Sequence, residues 1–457
     1  MRTIDLQQFT DDARLNRFHW AVLFWCALMI IFDGYDLAVV GVALPSIMAD
    51  MHVAPTRAGM MVSSALFGMM FGNLLFGSLA GKIGRRRTIA ICLAFFSVLT
   101  AASGFTHEAL TFGICRFIAG LGMGGVMPGV VAQMTEYAPR RVRSTMVTLM
   151  FSGYSIGGAA AALLGKAIIE SHGWPSVFIA AGLPILLIPC VLKWLPDSMP
   201  YLLQSGNVER LRDVLGKIDP SHVPRADDRY ATDDGATGEH RATFSQLFTH
   251  GRALSTVMFW IACFMCLFMV YALSSWLVKL MAGSGYSLGS ALSFMLVLNI
   301  GALVGAIGGG WLADHFHIKY VLVGMYVTAA VSIALLGFQL PEAALLFVVG
   351  VAGAATIGNQ IVTIAYAGQF YPMTVRATGV GIALGVGRLG AITAPVFIGA
   401  LVGIALPLRQ DFFAIAIPAC VAALAISLIN HSRSAASRAA VPDAQAGAMT
   451  PQPGRAH

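Results

Sequence analysis

What this chain lacks most is charge. Asp, Glu, Lys and Arg make up 11% of its residues, where a soluble domain carries roughly 25%. Hydrophobic residues reach 57%, more apolar surface than a globular core could hide, so the solvent is lipid. A disulfide framework is also missing: the seven cysteines are odd in number and mostly lie inside apolar runs. Cys263 and Cys266 form a C-x-x-C pattern, but in an apolar run with no βαβ context, so they read as two small apolar side chains. No nucleophile–base set and no metal cluster appears, which excludes the common enzyme classes and leaves no cofactor to expect. His315 and His317 stand beside Asp314 as loop residues without further ligands. The glycines at 120, 122, 124 and 125 follow no strand, so they are not a dinucleotide loop. The net charge of +7 sits in short loops between apolar runs, so membrane topology explains it better than nucleic acid does.

What is present is a series of apolar stretches. A spanning helix needs about 20 such residues, and on that rule about twelve spans follow, six within 18–195 and six within 251–430. The chain is therefore expected to be an all-α membrane protein. One set of loops carries Lys82, Arg85, Arg86 and Arg87, then Arg140, Arg141 and Arg143, then Lys319 and Arg376. The opposite set is nearly free of basic residues apart from Arg57 and Arg409. The positive-inside rule puts the first set, and with it both termini, in the cytoplasm. Residues 1–17 form a short cytoplasmic N-terminus and 196–250 a polar cytoplasmic linker with one amphipathic helix, RLRDVLGKI. The segment 431–457 has the Ala, Ser, Pro and Gly composition of a disordered tail.

The chain repeats itself. Gly77-Ser-Leu-Ala-Gly81 matches Gly310-Trp-Leu-Ala-Asp314 at an offset of 310 − 77 = 233. Glu136-Tyr-Ala-Pro139 followed by Arg143 matches Gln369-Phe-Tyr-Pro372 followed by Arg376, again 369 − 136 = 233. Two independent motifs at one offset predict two pseudo-symmetric six-helix halves. Parallel halves of this kind are a transporter architecture, with the substrate site at the midplane between them.

The residues that break the repeat are charged. Asp33 and Asp36 lie in FWCALMIIFDGYDLAVVGVALPSI, near the middle of the first span. An ionised carboxylate there costs about 2.5 kcal/mol or more, so such residues face a cavity or a partner. At i, i+3 they share a helix face, and two close carboxylates in a low dielectric cannot comfortably both ionise. The pair therefore reads as a proton-coupling site. Asp36 is the preferred proton carrier, since Arg116 of the fourth span lies at similar depth. Their register mates are Cys266 and Met269. Arg388, near the middle of the eleventh span, has Ser155 as its mate. A buried guanidinium needs a partner, and its planar fork suits a carboxylate. For Arg388 binding of a substrate carboxylate is favoured over a structural ion pair with an aspartate; for Arg116 pairing with Asp36 and contact with substrate both stay open. Tyr35, Tyr154 and Trp276 are candidates for lining a ring, though an aromatic in a membrane helix more often faces lipid or core, and Asn299 either holds a carboxylate or hydroxyl or glues helices together.

At this point the motifs resemble a known family. Gly77-Ser-Leu-Ala-Gly81-Lys82-Ile-Gly84-Arg85-Arg86-Arg87 after the second span is similar to the loop motif of the major facilitator superfamily. The Asp33-Gly34-Tyr35-Asp36 run, with Arg116, Gly120, Gly122 and Gly124, resembles the aromatic acid:proton symporters, their benzoate transporters most closely. The resemblance covers about residues 18 to 430. It implies symport of a small aromatic carboxylate with protons into a bacterial cell, across the inner membrane, by a monomer embedded in the lipid bilayer. It also implies a gate at the cytoplasmic loops, at Gly77, Gly81 and Arg85 and, in the second half, Asp314 and Arg376; Glu136, with Arg143 at the cytoplasmic end of the fourth span, is expected to form a gating ion pair with the basic loop. The chain departs from the family pattern at Gly81, where an acid is usual.

Overall fold

The computed structural model describes residues 3–220, 228–231, 247–249, 251–371 and 373–431; the side chains at 3, 144, 314, 373, 374, 376 and 377 lie outside the described set. Among these residues twelve helices are long and apolar enough to cross a bilayer, which makes this a multi-pass membrane protein. In chain order the spans are Arg17–Asp50, Pro55–Ile83, Arg85–Ser103, Ala109–Tyr137, Arg143–His172 and Pro175–Trp194, then Ala253–Gly283, Leu288–His315, Ile318–Leu335, Glu342–Phe370, Met373–Gly403 and Leu408–Leu428.

Local chemistry explains several boundaries. The first span starts where Asn16 accepts hydrogen bonds from the amides of Phe18 and His19 while the Asn16 amide donates to His19 Nδ1, a reciprocal cap that satisfies otherwise orphaned donors. The second span starts on Pro55, whose missing N–H costs nothing in a first turn. The sixth span is not one continuous helix. Pro184 and Pro189 each lack the N–H that an α-helix interior needs. The chain therefore passes through a 3₁₀ turn, Leu183–Leu187, between Pro175–Ala180 and Ile188–Trp194. The amphipathic helix expected at 210–218 is present as Val208–Ile218. A two-stranded parallel pairing of Thr3–Asp5 with Arg229–Ala231 has no counterpart in the sequence reading.

The 233-residue repeat reappears in how the helices touch. Gly68 and Gly72 of the second span lie against the carbonyls of Phe117 and Leu121 in the fourth; Gly301 and Gly305 of the eighth lie against those of Gly350 and Ala354 in the tenth. Each partner is displaced by the same interval, 301 − 68 and 350 − 117 both giving 233. Gly120 on Ala65 recurs as Gly353 on Leu298, and Gly157 on Ile31 recurs as Gly390 on Phe264. In lipid no hydrophobic force draws helices together, so backbone contact through small residues is what holds them. Gly120→Ala should therefore cost about 1–3 kcal/mol by overpacking against the Ala65 backbone. Gly113→Ala, with open space around it, should be neutral or slightly stabilising. Thermal melting in detergent separates the two, and equal midpoints would contradict the crossing argument.

The two halves meet tightly at the end opposite the basic loops. Gly59 lies against the Pro395 carbonyl and Gly41 against that of Ser274. Ser63 Oγ donates to the Ile392 carbonyl at 2.7 Å, and Lys166 Nζ donates to Ser293 Oγ at 2.8 Å. Towards the basic end the same two helices part. Among the described residues, Gly77 and Gly81 of the second span and Gly381 and Gly385 of the eleventh have nothing packed against them.

Candidate functional site

The first span is an unbroken helix through Asp33-Gly34-Tyr35-Asp36. Gly34 is there for close approach: a methyl on it would overlap the backbone of Tyr154 in the fifth span. Three residues of α-helix turn through about 300°, so the two aspartates diverge by about 60°. The structure sends them to different surroundings.

Asp36 faces inward within the first half. Its Oδ1 accepts from an Arg116 Nη at 2.9 Å, and its backbone carbonyl accepts from the other Nη at 3.1 Å. Arg116 also donates to Thr100 Oγ1 at 3.0 Å and lies 6.0 Å from the Phe178 ring centroid. Both charged side chains are 1% exposed. A closed ion pair with extra hydrogen bonds is the geometry that compensates desolvation. With both Nη groups engaged and its side chain closed off, Arg116 has no face open to a substrate, although its Nε has no hydrogen-bond partner among the described residues. Thr100 and Phe178 escaped the sequence reading because a threonine and a phenylalanine inside apolar runs give no signal.

Asp33 faces the seam between the halves. It is buried, and among the described residues neither carboxylate oxygen has a hydrogen-bond partner. Arg388 and Asp36 both lie within electrostatic reach of it, and Tyr154 lies within reach of Asp33 and Arg388. The Tyr154 hydroxyl is 3.5 Å from that of Tyr271 in the seventh span, so a polar contact crosses the seam beside Asp33. Arg388 is half-buried. Among the described residues it has no ion-pair partner, and its Nη atoms point at thioethers, Met69 Sδ at 4.0 Å and Met127 Sδ at 3.7 Å. The sequence candidates Asp33, Tyr154 and Arg388 are thus brought together. Met69, Met127 and Tyr271 join them, residues indistinguishable from core in the sequence.

Three ring or amide candidates are elsewhere. Tyr35 donates its hydroxyl to the Val177 carbonyl at 2.9 Å, tying the first span to the sixth. Trp276 is fully buried, donates to the Pro395 carbonyl at 3.0 Å and packs beside Gly399. It holds the seventh and eleventh spans together and has no free face for a substrate. Asn299 donates to the Met295 carbonyl of its own helix at 2.9 Å, with its amide against Gly158 of the fifth span, where it packs the two halves together. These placements favour the packing alternative over substrate contact for all three.

At the basic end Glu136 is paired with the basic loop, as its position suggested, while Arg143 is engaged elsewhere. Glu136 pairs with Arg85 at 2.5 Å, not with Arg143, and accepts from the Met199 amide at 2.6 Å and Ser198 Oγ at 3.2 Å. Arg143 instead pairs with Asp11 and donates to the Ala138 carbonyl at 3.2 Å. Asp197, just past the sixth span, accepts from the amides of Arg86 and Ser198 at 3.3 and 3.0 Å. Its signal in the sequence was a lone acid facing a run of three arginines. These contacts lock elements within the first half. Gly81 stands in open space, so an acidic side chain would fit there without a clash. Asp314 and Arg376 lie in helices, but their side chains are outside the described residues. His317 packs edge-on against His431, ring centroids 4.5 Å apart; burial, His317 and Lys319 hold the His431 imidazole below its usual range.

Twelve spans in two repeated halves, sealed at one end around a buried charged seam, define a secondary transporter. The sequence matches the Major Facilitator Superfamily over residues 26–395, and the chain belongs to that family. It is 43% identical over 437 residues to a benzoate transport protein of Acinetobacter baylyi, covering 94% of each chain. It is 33% identical over 439 residues to a gallate transporter of Pseudomonas putida, covering 95% of this chain and 97% of the other. Its fold is also that of the xylose transporter of E. coli in a partially occluded inward-open conformation, with a TM-score of 0.69 at 18% identity over 89% of this chain and 98% of that one.

Proposed function

We propose that the protein imports an aromatic carboxylate, of the benzoate or hydroxybenzoate class, together with a proton across the bacterial inner membrane. The observation that carries this reading is Arg388: a cation at the seam with no carboxylate bonded to it among the described residues, walled by two thioethers and close to two tyrosines. A guanidinium fork receives a carboxylate in two parallel hydrogen bonds. Thioether sulfur and tyrosine faces suit the ring attached to it. The aromatic relatives give the substrate class its support. The basic loops support a cytoplasmic location for the loosened end of the seam and for both termini.

Charge counting supplies the coupling. In the empty carrier Arg388 is balanced by ionised Asp33. An incoming anion takes over the guanidinium and leaves Asp33 as a second negative charge in a low dielectric, a costly state unless a proton neutralises it. Loaded carrier and empty carrier then both have a balanced seam, and the half-loaded ones do not. The helices rock between the two balanced states, and anion and proton travel together.

Uptake of labelled benzoate into proteoliposomes with an imposed proton gradient tests the reading. Accumulation should collapse with a protonophore and be competed by hydroxybenzoates but not by aliphatic acids or xylose. Uptake indifferent to the gradient, or competed equally by all of these, would sink it. Arg388→Gln should weaken benzoate binding by about 2–5 kcal/mol, a loss of roughly thirty-fold or more. Arg388→Lys should recover only part of it, since an ammonium cannot form the fork. Equilibrium binding to purified protein checks this, and an unchanged Kd in Arg388→Gln would remove Arg388 from the site.

A further inference from the structure

The transport cycle makes no use of a groove of about 340 Å³ at the basic end of the first half. Four cations line it: Arg86 in the first turn of the third span, Lys193 in the last turn of the sixth, and Arg210 and Lys217 on the helix Val208–Ile218. Two acids line it as well, Asp197 and Asp213, so the lining carries a net 4 − 2 = +2. Asp197 is already engaged by Arg86, with the Arg86 Nε 3.9 Å from its carboxylate. Lys193, Arg210 and Lys217 are exposed, and among the described residues none of the three is in an ion pair.

The position of the groove says what kind of anion it meets. Val208–Ile218 is amphipathic: Leu211, Val214, Leu215 and Ile218 are buried while Arg210, Asp213 and Lys217 are exposed. Asn16 Nδ2 donates to the carbonyls of Lys217 and Ile218 at 2.9 Å each, which fixes the helix to the start of the first span. Directly beside the cations Trp194 stacks on Trp25 with ring centroids 5.7 Å apart, and Trp194 is 56% exposed. Tryptophans of this kind mark the boundary between headgroups and hydrocarbon. Beyond it the sixth span presents Leu183 and Leu186, 62% and 70% exposed, as a lipid-facing wall. Unpaired cations therefore stand at the headgroup level, immediately above an apolar surface that acyl chains cover.

We propose that this groove is a binding site for an anionic phospholipid, with the headgroup phosphate held by Lys193, Arg210 and Lys217 and the chains lying along the sixth span. Basic pockets at the ends of membrane helices bind such headgroups by the same electrostatics. A soluble phosphate would use the cations and leave the apolar wall uncovered, which is why a lipid is the occupant assigned. Because helix Val208–Ile218 is tied to the first span, the lipid would brace the half that carries Asp33 and Asp36.

The test is retention of phosphatidylglycerol against phosphatidylethanolamine by the purified full chain in detergent, read by native mass spectrometry. The wild type should retain phosphatidylglycerol preferentially. The triple variant Lys193→Gln, Arg210→Gln, Lys217→Gln should lose that preference by roughly ten-fold or more. A control triple at other exposed arginines of the same end, Arg14→Gln, Arg140→Gln, Arg141→Gln, should keep it. If the groove triple does not fold, Lys193→Gln alone should still lower the preference. Added inorganic phosphate at matched concentration should not displace the lipid. Unchanged retention in the groove variants, equal loss in the control, or full displacement by inorganic phosphate would each overturn the proposal.

Discussion

Asp33→Asn should leave the protein folded and abolish accumulation of benzoate against its gradient, while exchange of internal for external benzoate continues. Asn is close in shape to a protonated aspartate but cannot release a proton. Asp33 has no hydrogen-bond partner among the described residues to lose, so removing its charge costs the fold little. The variant is locked in the neutral state that balances a loaded Arg388. It therefore carries substrate both ways but cannot return empty, because Arg388 would then stand uncompensated at the seam. Accumulation ratio and counterflow, measured on the same proteoliposomes, separate the two activities. Loss of both would mean that Asp33 is needed for the substrate site itself.

Asp36→Asn should behave differently, as a defect of the fold. Its charge closes a pair with Arg116 in which both side chains are 1% exposed. Breaking a buried pair from one side leaves an uncompensated charge and costs about 3–5 kcal/mol, a large fraction of the margin by which most proteins are stable. The expected result is a sharply lowered melting temperature and poor recovery from the membrane. Replacing both partners by apolar residues, Asp36→Leu with Arg116→Met, should recover part of that loss, since no lone charge remains. A single Asp36→Asn as stable as wild type would contradict the assignment of this pair to structure.

The division of labour between these two aspartates is where the sequence stopped being readable. Their presence, their cost and their lack of a register mate could all be seen in the letters, as could the twelve spans and the 233-residue repeat. Those features depend on composition and spacing alone. The direction in which each carboxylate points depends on which neighbour sits 60° further round the helix, about as much as three residues fall short of a full turn. Depth alone favoured Asp36 as the proton carrier because Arg116 lay level with it. Contact with Arg116 is what now argues against that choice. Arg388 stood out as a lone cation in an apolar run, whereas Met69, Met127 and Tyr271 could not, because a methionine or tyrosine in a membrane helix looks the same whether it meets substrate, lipid or core. The individual partners at the basic end were hidden for a similar reason. Glu136 and Arg143 are near in sequence, but Arg85, Ser198 and Met199 reach Glu136 from other elements and Asp11 reaches Arg143.

The most direct measurement is the pH of a lightly buffered medium around de-energised vesicles when benzoate is added. Wild type should make that medium more alkaline as protons enter with the anion, and Asp33→Asn should produce no pH change while still exchanging labelled benzoate. Alkalinisation by Asp33→Asn at the wild-type rate would contradict the claim that Asp33 carries the coupled proton.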